Sequence, residues 1–600
     1  MESENLVKQR DRWIVAGLLA LLFFLTPLYP QKVHYGFAFF FTSIIYLLVC
    51  ILAYRVGWPF IGRALRASPF FLPGLLMLTW YLLGIFYAPE IHAAKAKFGM
   101  LFTIALLFGF FSLFPLKSNQ TTLLLWSLVL GGFAAACQAL YSQAVGHGAL
   151  IESLHNHAIY SDTMREEMIK TLEANRAMGR FGNPNHLAGY LVLSLWPLWL
   201  LFKRTHIAWQ KAFLCLFAVI MIFATYQTFS RSGVLVLLFS IFLFCAFEFL
   251  ARGKGKLLRN ILVAGCLLAV IAVPLFLLAA PSDFLGGRLT TTSTLVARWH
   301  FFRGALLIIQ THPWIGTGPE SFEAYYSQYL RPGDMEAKYT HNLFLEAMVD
   351  GGIVNLMLSS WLIGILFFYL YHKWRKKPEH NLHTYAAAGA AAGFLLFSQI
   401  DFHYNLIEMY LIPIILLGLL VRQIPSTSSP HKSKLSPWLS LLLLLLWVGL
   451  VLSPFYNKTN KDLADSLMLE EKWYQARLCY DHAVTYDPTD ADSWNGLGQT
   501  WQKIPTAAAQ HKALAYFRQA VWWAPRSAAL HADLAGQLFA LGYTRQAVEE
   551  MRTAQTLFPA RPQYYETMAA FYRQLGETEK AEEQQARADS IKQTMKERKI

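Results

Sequence analysis

Long apolar runs recur through the first three quarters of this chain and constrain its fold more than any other feature. An apolar run of roughly 17–25 residues can cross a hydrocarbon core about 30 Å thick as a helix. The chain is 55% hydrophobic and 15% charged, whereas soluble domains carry about 25% charged residues. We therefore predict an all-α fold in which residues 1–455 form a polytopic membrane helix bundle of about 13 spans. The runs lie near residues 13–30, 35–54, 70–88, 98–116, 121–141, 187–202, 208–226, 232–251, 260–280, 352–371, 383–400, 406–421 and 437–455.

The first run follows three basic residues, Lys8, Arg10 and Arg12. A secretory signal peptide has a similar basic start, but no small-x-small cleavage site precedes Pro30. We therefore interpret this run as a retained first span.

Basic residues concentrate in alternate predicted loops. The positive-inside rule places those loops in the cytoplasm, so the net charge of +14 indicates membrane orientation rather than binding to nucleic acid. With an odd number of spans, the long loops 142–186 and 281–351 and everything after residue 456 lie outside. The basic residues are Lys8, Arg10, Arg12, Arg55, Arg63, Arg66, Lys117, Lys203, Arg204, Lys211, Arg252, Lys254, Lys256, Arg259, Lys373, Arg375, Lys376, Lys377, Arg422, Lys432 and Lys434.

From about residue 456 the composition becomes polar and a repeat is visible. Three times, an alanine stands five positions before a proline, and these Ala–Pro pairs are separated by 37 and then 34 residues. Two glycines near the end of the chain are also 34 residues apart. A period of about 34 residues is typical of tetratricopeptide repeats, whose helix pairs stack into a concave binding surface. We predict an α-solenoid over residues 456–600 and favour a partner-binding role over a spacer or a cap. The repeated residues are Ala483, Ala520 and Ala554, then Pro488, Pro525 and Pro559, and then Gly542 and Gly576.

The segment RFGNPNHLAGY precedes the sixth predicted span and contains Arg180, Asn183, Asn185 and His186. Gly-Asn-Pro-Asn is also typical of a turn, and Asn is a common helix N-cap. A turn accounts for the glycine and the proline but requires neither the arginine nor the histidine. These four polar residues are therefore candidate site residues.

Arg231, in TFSRSGVLVLL, begins the eighth predicted span on the outer side. An arginine at this position goes against the inside bias of basic residues, and ionisable residues in or at a membrane are functional candidates. Snorkelling to lipid headgroups is the alternative, and Arg231 taken alone leaves both interpretations open.

Two further clusters lie in the long outer loop 281–351. Arg298 and Arg303 are followed by a Gly-Thr-Gly-Pro turn at 316–319, which is a weak signal on its own. His341 and Asn342 stand just before the tenth span. Asn342 has the alternative role of capping the helix that follows, and His341 gains weight only from the arginines expected on the same membrane face.

Asp401 and His403 lie in the segment QIDFHYN, which is also predicted to face outward. We favour a structural role for both residues, as caps that form hydrogen bonds within this loop.

This combination of residues suits one kind of chemistry. Arginine binds phosphate through a planar fork and stays charged, and a neutral histidine can take a proton from a hydroxyl near pH 7. Two arginines and a histidine at the outer interface therefore suit glycosyl transfer from a lipid-pyrophosphate sugar donor. No paired outer carboxylates indicate a metal site, and the six cysteines have no disulfide or zinc spacing.

These residues are also where the chain resembles a family, the O-antigen ligase superfamily, which includes O-antigen ligases, O-antigen polymerases and bacterial protein O-oligosaccharyltransferases. Its Arg-x3-Leu pattern matches Arg231 to Leu235. Its His-Asn/Ser/Gln-x9-Gly-x-x-Gly/Thr/Val pattern matches His341-Asn342 and Gly352, with Asn355 at the last position. The stretch from Arg298 to Phe322 is similar to the family's large outer loop. The segment GNPNHLAGY resembles the corresponding segment of family members that carry tetratricopeptide tails. The resemblance covers roughly residues 180–420.

The resemblance implies transfer of a preassembled glycan from undecaprenyl pyrophosphate at the outer face of the bacterial inner (cytoplasmic) membrane, with inversion at the anomeric carbon. His341 would act on the acceptor hydroxyl, and Arg231 and Arg298 would bind the pyrophosphate. Arg303 and Asn342, with the four residues of the RFGNPNH segment, are candidate supporting residues. No metal or other cofactor is expected, since the donor is already activated. The acceptor would be a glycan, a lipid or a protein, and the repeats would offer a protein-binding surface.

Several alternatives stay open at this point. A polymerase that joins repeat units, or a protein O-oligosaccharyltransferase, would use the same catalytic residues. A polysaccharide transporter or flippase with a binding tail is the alternative of another class, although transporters place polar groups at the bilayer midplane, often in repeated halves. A membrane anchor for the repeats would need far fewer spans.

Overall fold

The computed structural model describes residues 9–29, 35–56, 58–146, 148, 151–152, 169, 172–173, 175–251, 293–376, 382–421 and 436–599. The predicted ninth run, near 260–280, lies outside these residues, as do residues 153–168 of the outer loop 142–186 and the first part of the loop 281–351.

The described residues form helices and contain no β-strand. Nine of the described helices are long and apolar enough to cross a membrane, and α4, α13 and α14 below are shorter apolar helices. Together they overlap every predicted run inside the described ranges. The predicted all-α, multi-pass membrane fold is therefore confirmed, while the number of spans stays a prediction. The helices of this part are α1 (Gln9–Leu25), α2 (Tyr35–Val56), α3 (Trp58–Ala67), α4 (Phe71–Gly84), α5 (Ile91–Leu113), α6 (Ser118–Val145), α7 (Pro184–Arg204), α8 (Ala208–Gln227), α9 (Arg231–Ala251), α10 (Ser293–Thr311), α11 (Phe322–Tyr326), α12 (Leu343–Lys376), α13 (Leu382–Phe397), α14 (Ile407–Val421) and α15 (Ser436–Trp447).

The chain divides into two compact units that interleave along the sequence. The first unit comprises Met1–Leu72, Phe102–Phe276 and Trp361–Leu444. The second unit comprises Pro73–Leu101, Leu277–Ser360 and Leu445–Ile600. The second unit therefore contains the large outer loop together with all of the helical repeats.

The core of the first unit is built around α7, which is buried along nearly its whole length. Small residues let its neighbours approach closely, as is common between membrane helices. A Cβ added to Gly233 of α9 would lie 2.6 Å from the side chain of Ala188, and one added to Gly389 of α13 would lie 2.1 Å from Trp196. These two glycines therefore bring α9 and α13 against α7.

The repeat domain of the second unit consists of consecutive helix pairs. The alanines that precede each proline, Ala483, Ala520 and Ala554, are fully buried. Gly542 and Gly576 follow the first helix of a pair in the left-handed conformation, with φ of 82° and 76°, where glycine costs least. These features confirm helical repeats of the tetratricopeptide type. The helices are α16 (Ser453–Leu469), α17 (Trp473–Tyr486), α18 (Ala491–Gln502), α19 (Ala507–Trp523), α20 (Ala528–Ala540), α21 (Thr544–Leu557), α22 (Pro562–Gln574) and α23 (Thr578–Lys599).

The last apolar run leads directly into the repeats. A π-helical turn, Val448–Leu452, connects to α16, which begins at Ser453. The predicted boundary at residues 455–456 therefore falls inside a helix rather than in a linker.

Candidate functional site

In the first unit, a hydrogen-bonded network joins the segment before α7, the start of α7 and the segment before α14. The Arg176 guanidinium donates through Nε to the carbonyl oxygen of Thr228 (2.7 Å) and through Nη2 to Asn185 Oδ1 (3.4 Å). Asn185 in turn donates through Nδ2 to Asp401 Oδ2, at 2.8 Å. Asn185 is thereby held between a cation and a carboxylate that are distant in sequence.

Two histidines flank this network. The Nε2 atom of His403 lies 3.1 Å from the carbonyl oxygen of Asn185, and its ring centroid is 5.3 Å from that of His186. A Cβ on Gly189 would lie 2.6 Å from His403 Nε2. The glycine of HLAGY therefore makes room for His403 beside α7.

A second arginine lies near this network, namely Arg231, which is the first residue of α9. The side chain of Arg231 is exposed. Burial lowers the pKa of Arg176, the nearby charge of Arg231 lowers it further, and Asp401 opposes both. We call Arg176, Asn185, Arg231 and Asp401 the cationic network, because the nearby guanidinium groups of Arg176 and Arg231 outnumber its single carboxylate.

The remaining predicted residues of the RFGNPNH segment have local roles. Asn183 is the N-cap of α7 and accepts a hydrogen bond from the backbone N–H of Asn185, at 2.8 Å. The guanidinium of Arg180 lies 4.9 Å from the ring centroid of Tyr29, within the range of a cation–π contact.

In the second unit, a glycine loop, residues 313–318, docks onto a break in α12. The break lies at Gly351 and Gly352, whose backbone angles are not helical. A helix break leaves backbone groups without their helical partners, and the glycine loop satisfies three of them. Thr317 N donates to the carbonyl oxygen of Val349 (2.7 Å), Gly318 N to that of Asp350 (3.0 Å), and Ile353 N to that of Pro313 (2.9 Å).

This docking explains the Gly-rich motifs on both sides of the contact. Gly352 has φ of 64°, and a Cβ there would lie 2.2 Å from the carbonyl oxygen of Trp314. Gly316 has φ of 70°, and a Cβ there would lie 2.5 Å from the carbonyl oxygen of Val349. At both positions an added Cβ would clash with backbone atoms, which cannot move aside as a flexible side chain can. A larger residue would therefore separate the loop from the helix.

His341 lies just before α12 with φ of 58°, a left-handed conformation that is uncommon for residues other than glycine. Its ring stacks on Phe301 of α10, with centroids 5.2 Å apart and an interplanar angle of 25°. Arg298 precedes Phe301 by three residues, so both lie on one face of α10. The second unit thus brings His341 to the helix face that carries Arg298, with Arg303 further along the same helix.

Asn342, by contrast, caps α12. Its Oδ1 accepts hydrogen bonds from the backbone N–H groups of Phe344 and Leu345, both at 3.0 Å. Glu346 Oε2 reaches back to accept from the backbone N–H and hydroxyl of Thr340, at 2.9 and 2.7 Å. The position of His341 is therefore fixed between a paired Thr340 and a capping Asn342.

Buried acidic residues that the sequence interpretation missed surround the helix break. Lys97 is buried and lies 3.5 Å from Glu320. Asp350 Oδ1 accepts from the backbone N–H of Glu320 (3.1 Å), and its Oδ2 accepts from Tyr81 (3.4 Å). The Tyr81 hydroxyl also accepts a hydrogen bond from Asn355, at 3.1 Å. Asn355, the position that departs from the family pattern, thus belongs to this buried network.

Backbone strain coincides with the two clusters. Of the five non-glycine residues with positive φ in the described part of the chain, four lie within or beside them, namely Asn175, Phe229, Glu320 and His341. Unusual backbone conformations of this kind concentrate at functional sites. Asn175 adjoins the missed residue Arg176, which has no periodic or motif signal in the sequence.

The predicted site residues divide between the two units. Arg180, Asn183, Asn185, His186 and Arg231 belong to the first unit, and Arg298, Arg303, His341 and Asn342 belong to the second. Within the described residues, no group of three or more His, Cys, Asp and Glu side chains is arranged to hold a metal ion.

Comparisons with known proteins give one family match and several structural similarities. Residues 216–359 match a family model described as O-Antigen ligase. No curated protein matches this chain.

The structural similarities concern a part of the chain. A crystal structure of MamA shares 22% identity, covers 22% of this chain and 74% of that protein, and has a TM-score of 0.20. MamA from Desulfovibrio magneticus RS-1 shares 17% identity over 26% of this chain and 87% of its own, with a TM-score of 0.22. YrrB, described as a TPR protein with an unusual peptide-binding site, shares 17% identity over 26% and 77%, with a TM-score of 0.21. Residues 216–359 thus match an O-antigen ligase family model, as the resemblance predicts, and the chain also carries helical repeats of the tetratricopeptide type.

Proposed function

We propose that this protein is an O-antigen ligase-type glycosyltransferase that moves a preassembled glycan from undecaprenyl pyrophosphate to an acceptor hydroxyl. The observation that carries the proposal is the family match, because Arg231, Arg298 and His341 all fall within residues 216–359. The many apolar helices suit a donor whose polyprenol chain is dissolved in lipid. The positive-inside distribution of basic residues supports a site at the outer face of the bacterial inner membrane, with the repeats on the same side.

In this mechanism His341 accepts the proton of the acceptor hydroxyl while the hydroxyl oxygen attacks the anomeric carbon of the donor. The new bond forms on the face opposite the pyrophosphate, so the configuration inverts, and the bond from the anomeric carbon to the pyrophosphate oxygen breaks. Arg231 and Arg298 bind the departing pyrophosphate and stabilise its developing charge. No nucleotide, metal ion or other cofactor enters this mechanism.

The surrounding residues have positioning roles in the proposal. Arg176 holds the turn before Arg231 through its hydrogen bond to the carbonyl oxygen of Thr228 (2.7 Å), and Asn185 links Arg176 to Asp401. Asn342 and the docked glycine loop fix the backbone that carries His341. Arg180, Asn183, His186 and Arg303 remain candidate supporting residues.

The repeat domain offers a surface for a partner or acceptor. Residues of α16–α20 and of the turns between them line an open cavity of about 450 Å³. Trp473, Gln499, Lys503 and Asp533 are among the residues that line it, so it presents an aromatic face together with amide and charged groups. Met468, Leu469 and Phe517 line the same cavity, so its surface is mixed apolar and polar, and we propose that a partner or acceptor binds there.

Reconstitution of the purified protein with a lipid-linked glycan and candidate acceptors tests the proposal. We expect release of undecaprenyl pyrophosphate together with a glycosylated acceptor. Movement of the donor across the membrane without any transfer would instead support the transporter alternative.

The lipid-linked glycans of a deletion strain separate the closely related activities. Loss of a ligase leaves long glycan on its lipid carrier, whereas loss of a polymerase leaves single repeat units. Loss of a protein O-oligosaccharyltransferase removes glycan from proteins. Labelling of a cysteine placed at position 341 by an impermeant reagent added outside checks the predicted orientation, and labelling only from the cytoplasmic side would overturn it.

A further inference from the structure

Three successive turns between the repeats contact the outer segments of the second unit. These turns follow α17, α19 and α21, and each contains one of the repeated prolines. We call them the turn edge of the repeat domain. Tetratricopeptide repeats bind partners on their concave surface, whereas the turn edge is here occupied by the protein's own chain.

The first turn contributes Asp487, which is buried against the start of α5. Its carboxylate lies 2.8 Å from His92 Nδ1 and 2.6 Å from Lys95 Nζ. Burial alone would raise the pKa of Asp487, but the hydrogen bond with His92 and the charge of Lys95 hold that pKa well below its usual range. The carboxylate is therefore ionised and paired at neutral pH.

The second turn contributes Arg526. Its guanidinium carbon lies 3.7 Å from the ring centroid of Tyr325, and its Nη2 donates to Gln328 Oε1 at 2.9 Å. Both contacted residues follow the glycine loop in the outer segment 322–337. A cation–π contact combined with a hydrogen bond fixes the direction of the guanidinium as well as its distance.

The third turn makes both an apolar and an ionic contact. Ala560 is buried in one cluster with Phe301, Phe322 and Tyr326, and Phe558 packs against the same cluster. Arg561 Nη1 lies 2.9 Å from Glu336 Oε1. Phe301 is the residue on which His341 stacks, so the third repeat turn belongs to the cluster that supports the proposed catalytic histidine.

We propose that the turn edge holds the outer segment 322–337 in place, and that Arg526 and Arg561 are positioning residues for His341. This inference rests on the proposed function for the role of His341, while the holding contact itself does not. The repeat domain would then be part of the catalytic apparatus rather than an appended binding tail. The repeat domain contacts the outer segments at three separate turns. A single exposed ion pair would stabilise such a contact only weakly.

Hydrogen–deuterium exchange and turnover, measured on the full-length protein in nanodiscs, test the proposal together. In Arg526→Ala, exchange across residues 322–337 should rise, and kcat should fall about tenfold or more with little change in KM for the donor, because misplacement by about 1 Å can cost a hundredfold. Arg561→Glu should act in the same direction, and Arg561→Glu combined with Glu336→Arg should return both readouts toward wild type. Arg573→Glu, an exposed change on α22 away from the turn edge, is the matched control and should alter neither.

Unchanged exchange in both Arg526→Ala and Arg561→Glu would overturn the holding contact. Faster exchange with unchanged kcat would overturn the positioning role. The unfolding temperature of the repeats is measured in each variant, and the charge-swap pair keeps the test valid if a single variant folds poorly. If wild-type protein transfers no glycan at all, the proposed function fails, and exchange alone still decides whether the turn edge holds the segment.

Discussion

The two clusters of candidate residues are held in place in different ways. In the first unit, side chains fix one another, since Asn185 is bound to both Arg176 and Asp401. In the second unit, the backbone is fixed, since His341 has φ of 58° and the glycine loop is bonded to a helix break. The first arrangement depends on the shape of polar side chains. The second depends on glycine at positions where a Cβ would clash with the backbone, such as Gly316 and Gly352.

This difference has a consequence for mutation. A hydrogen-bonded network of side chains is sensitive to changes in donor geometry, even when charge is kept. A strained backbone held by docking is sensitive to the addition of a single methyl group, even far from any charge. Substitutions that change only the donor geometry of a side chain, or that add only a methyl group to the backbone, can therefore test the contribution of each cluster to activity separately.

His341→Ala should produce the largest effect, loss of glycan transfer by a factor of about 10²–10⁴, because a general base contributes rate enhancement of that size. Release of undecaprenyl pyrophosphate by the purified protein is the measurement. His341→Gly should be equally inactive but more stable than His341→Ala by about 1 kcal/mol, because glycine adopts positive φ without strain. His206→Ala, a change at an exposed residue between α7 and α8, is the control. Full activity in either His341 variant would remove the proposed mechanism.

Arg231→Lys should reduce transfer by about 10–100-fold while leaving the protein inserted, because an ammonium group cannot reproduce the planar fork that binds pyrophosphate. The loss should appear in both kcat and KM for the lipid-linked donor. Arg375→Lys, an exposed change near the end of α12, should have no effect. Equal activity in Arg231→Lys and wild type would place Arg231 at the lipid headgroups instead, as the snorkelling alternative requires.

Much of the fold was predictable, because membrane spans depend on the length and composition of an apolar run, which a sequence displays directly. The repeat period was visible for a similar reason, since buried alanines recur wherever two helices pack closely. The capping role of Asn342 was available as an alternative from its position alone.

The remaining site residues could not be predicted from local patterns. Arg176 lies in a polar loop with no motif, and only Thr228 and Asn185 give it a position. Lys97 stands at the edge of an apolar run, where a basic residue resembles an ordinary helix end, yet the structure buries it beside Glu320. The span predicted to begin at residue 352 is preceded by a helical segment of more than two turns that begins at Leu343. The break at Gly352 depends on contacts with the glycine loop, which lies too far back in the chain for a local pattern to show.

Gly352→Ala tests whether the backbone of the second unit matters independently of any functional group. A Cβ there would lie 2.2 Å from a backbone oxygen of Trp314, and the left-handed conformation adds strain of about 1–3 kcal/mol. We expect the glycine loop to separate from α12, with transfer reduced about tenfold and lower thermal stability. Gly364→Ala changes the same helix at a position with no neighbour within 4 Å, so it should resemble wild type. Matching behaviour of the two variants would show that the docked loop does not position His341.

The smallest expected effect concerns pH, and it belongs to the second unit, which contains the buried carboxylate of Asp350 and the carboxyl group of Glu90. Burial raises the pKa of Glu90, just before α5, from its usual 4.5 to about 7, and the charge of Glu323 adds to this rise. Because the folded pKa is above the unfolded one, the folded state binds more protons between these values, and the unfolding free energy should decrease as pH rises from about 4.5 to 7. Glu90→Gln should remove this part of the pH dependence, whereas Glu549→Gln, at an exposed repeat position, should keep it. Unfolding temperatures measured from pH 5 to pH 8 would contradict the assignment if wild type and Glu90→Gln changed in parallel, since the slope would then arise from other carboxylates.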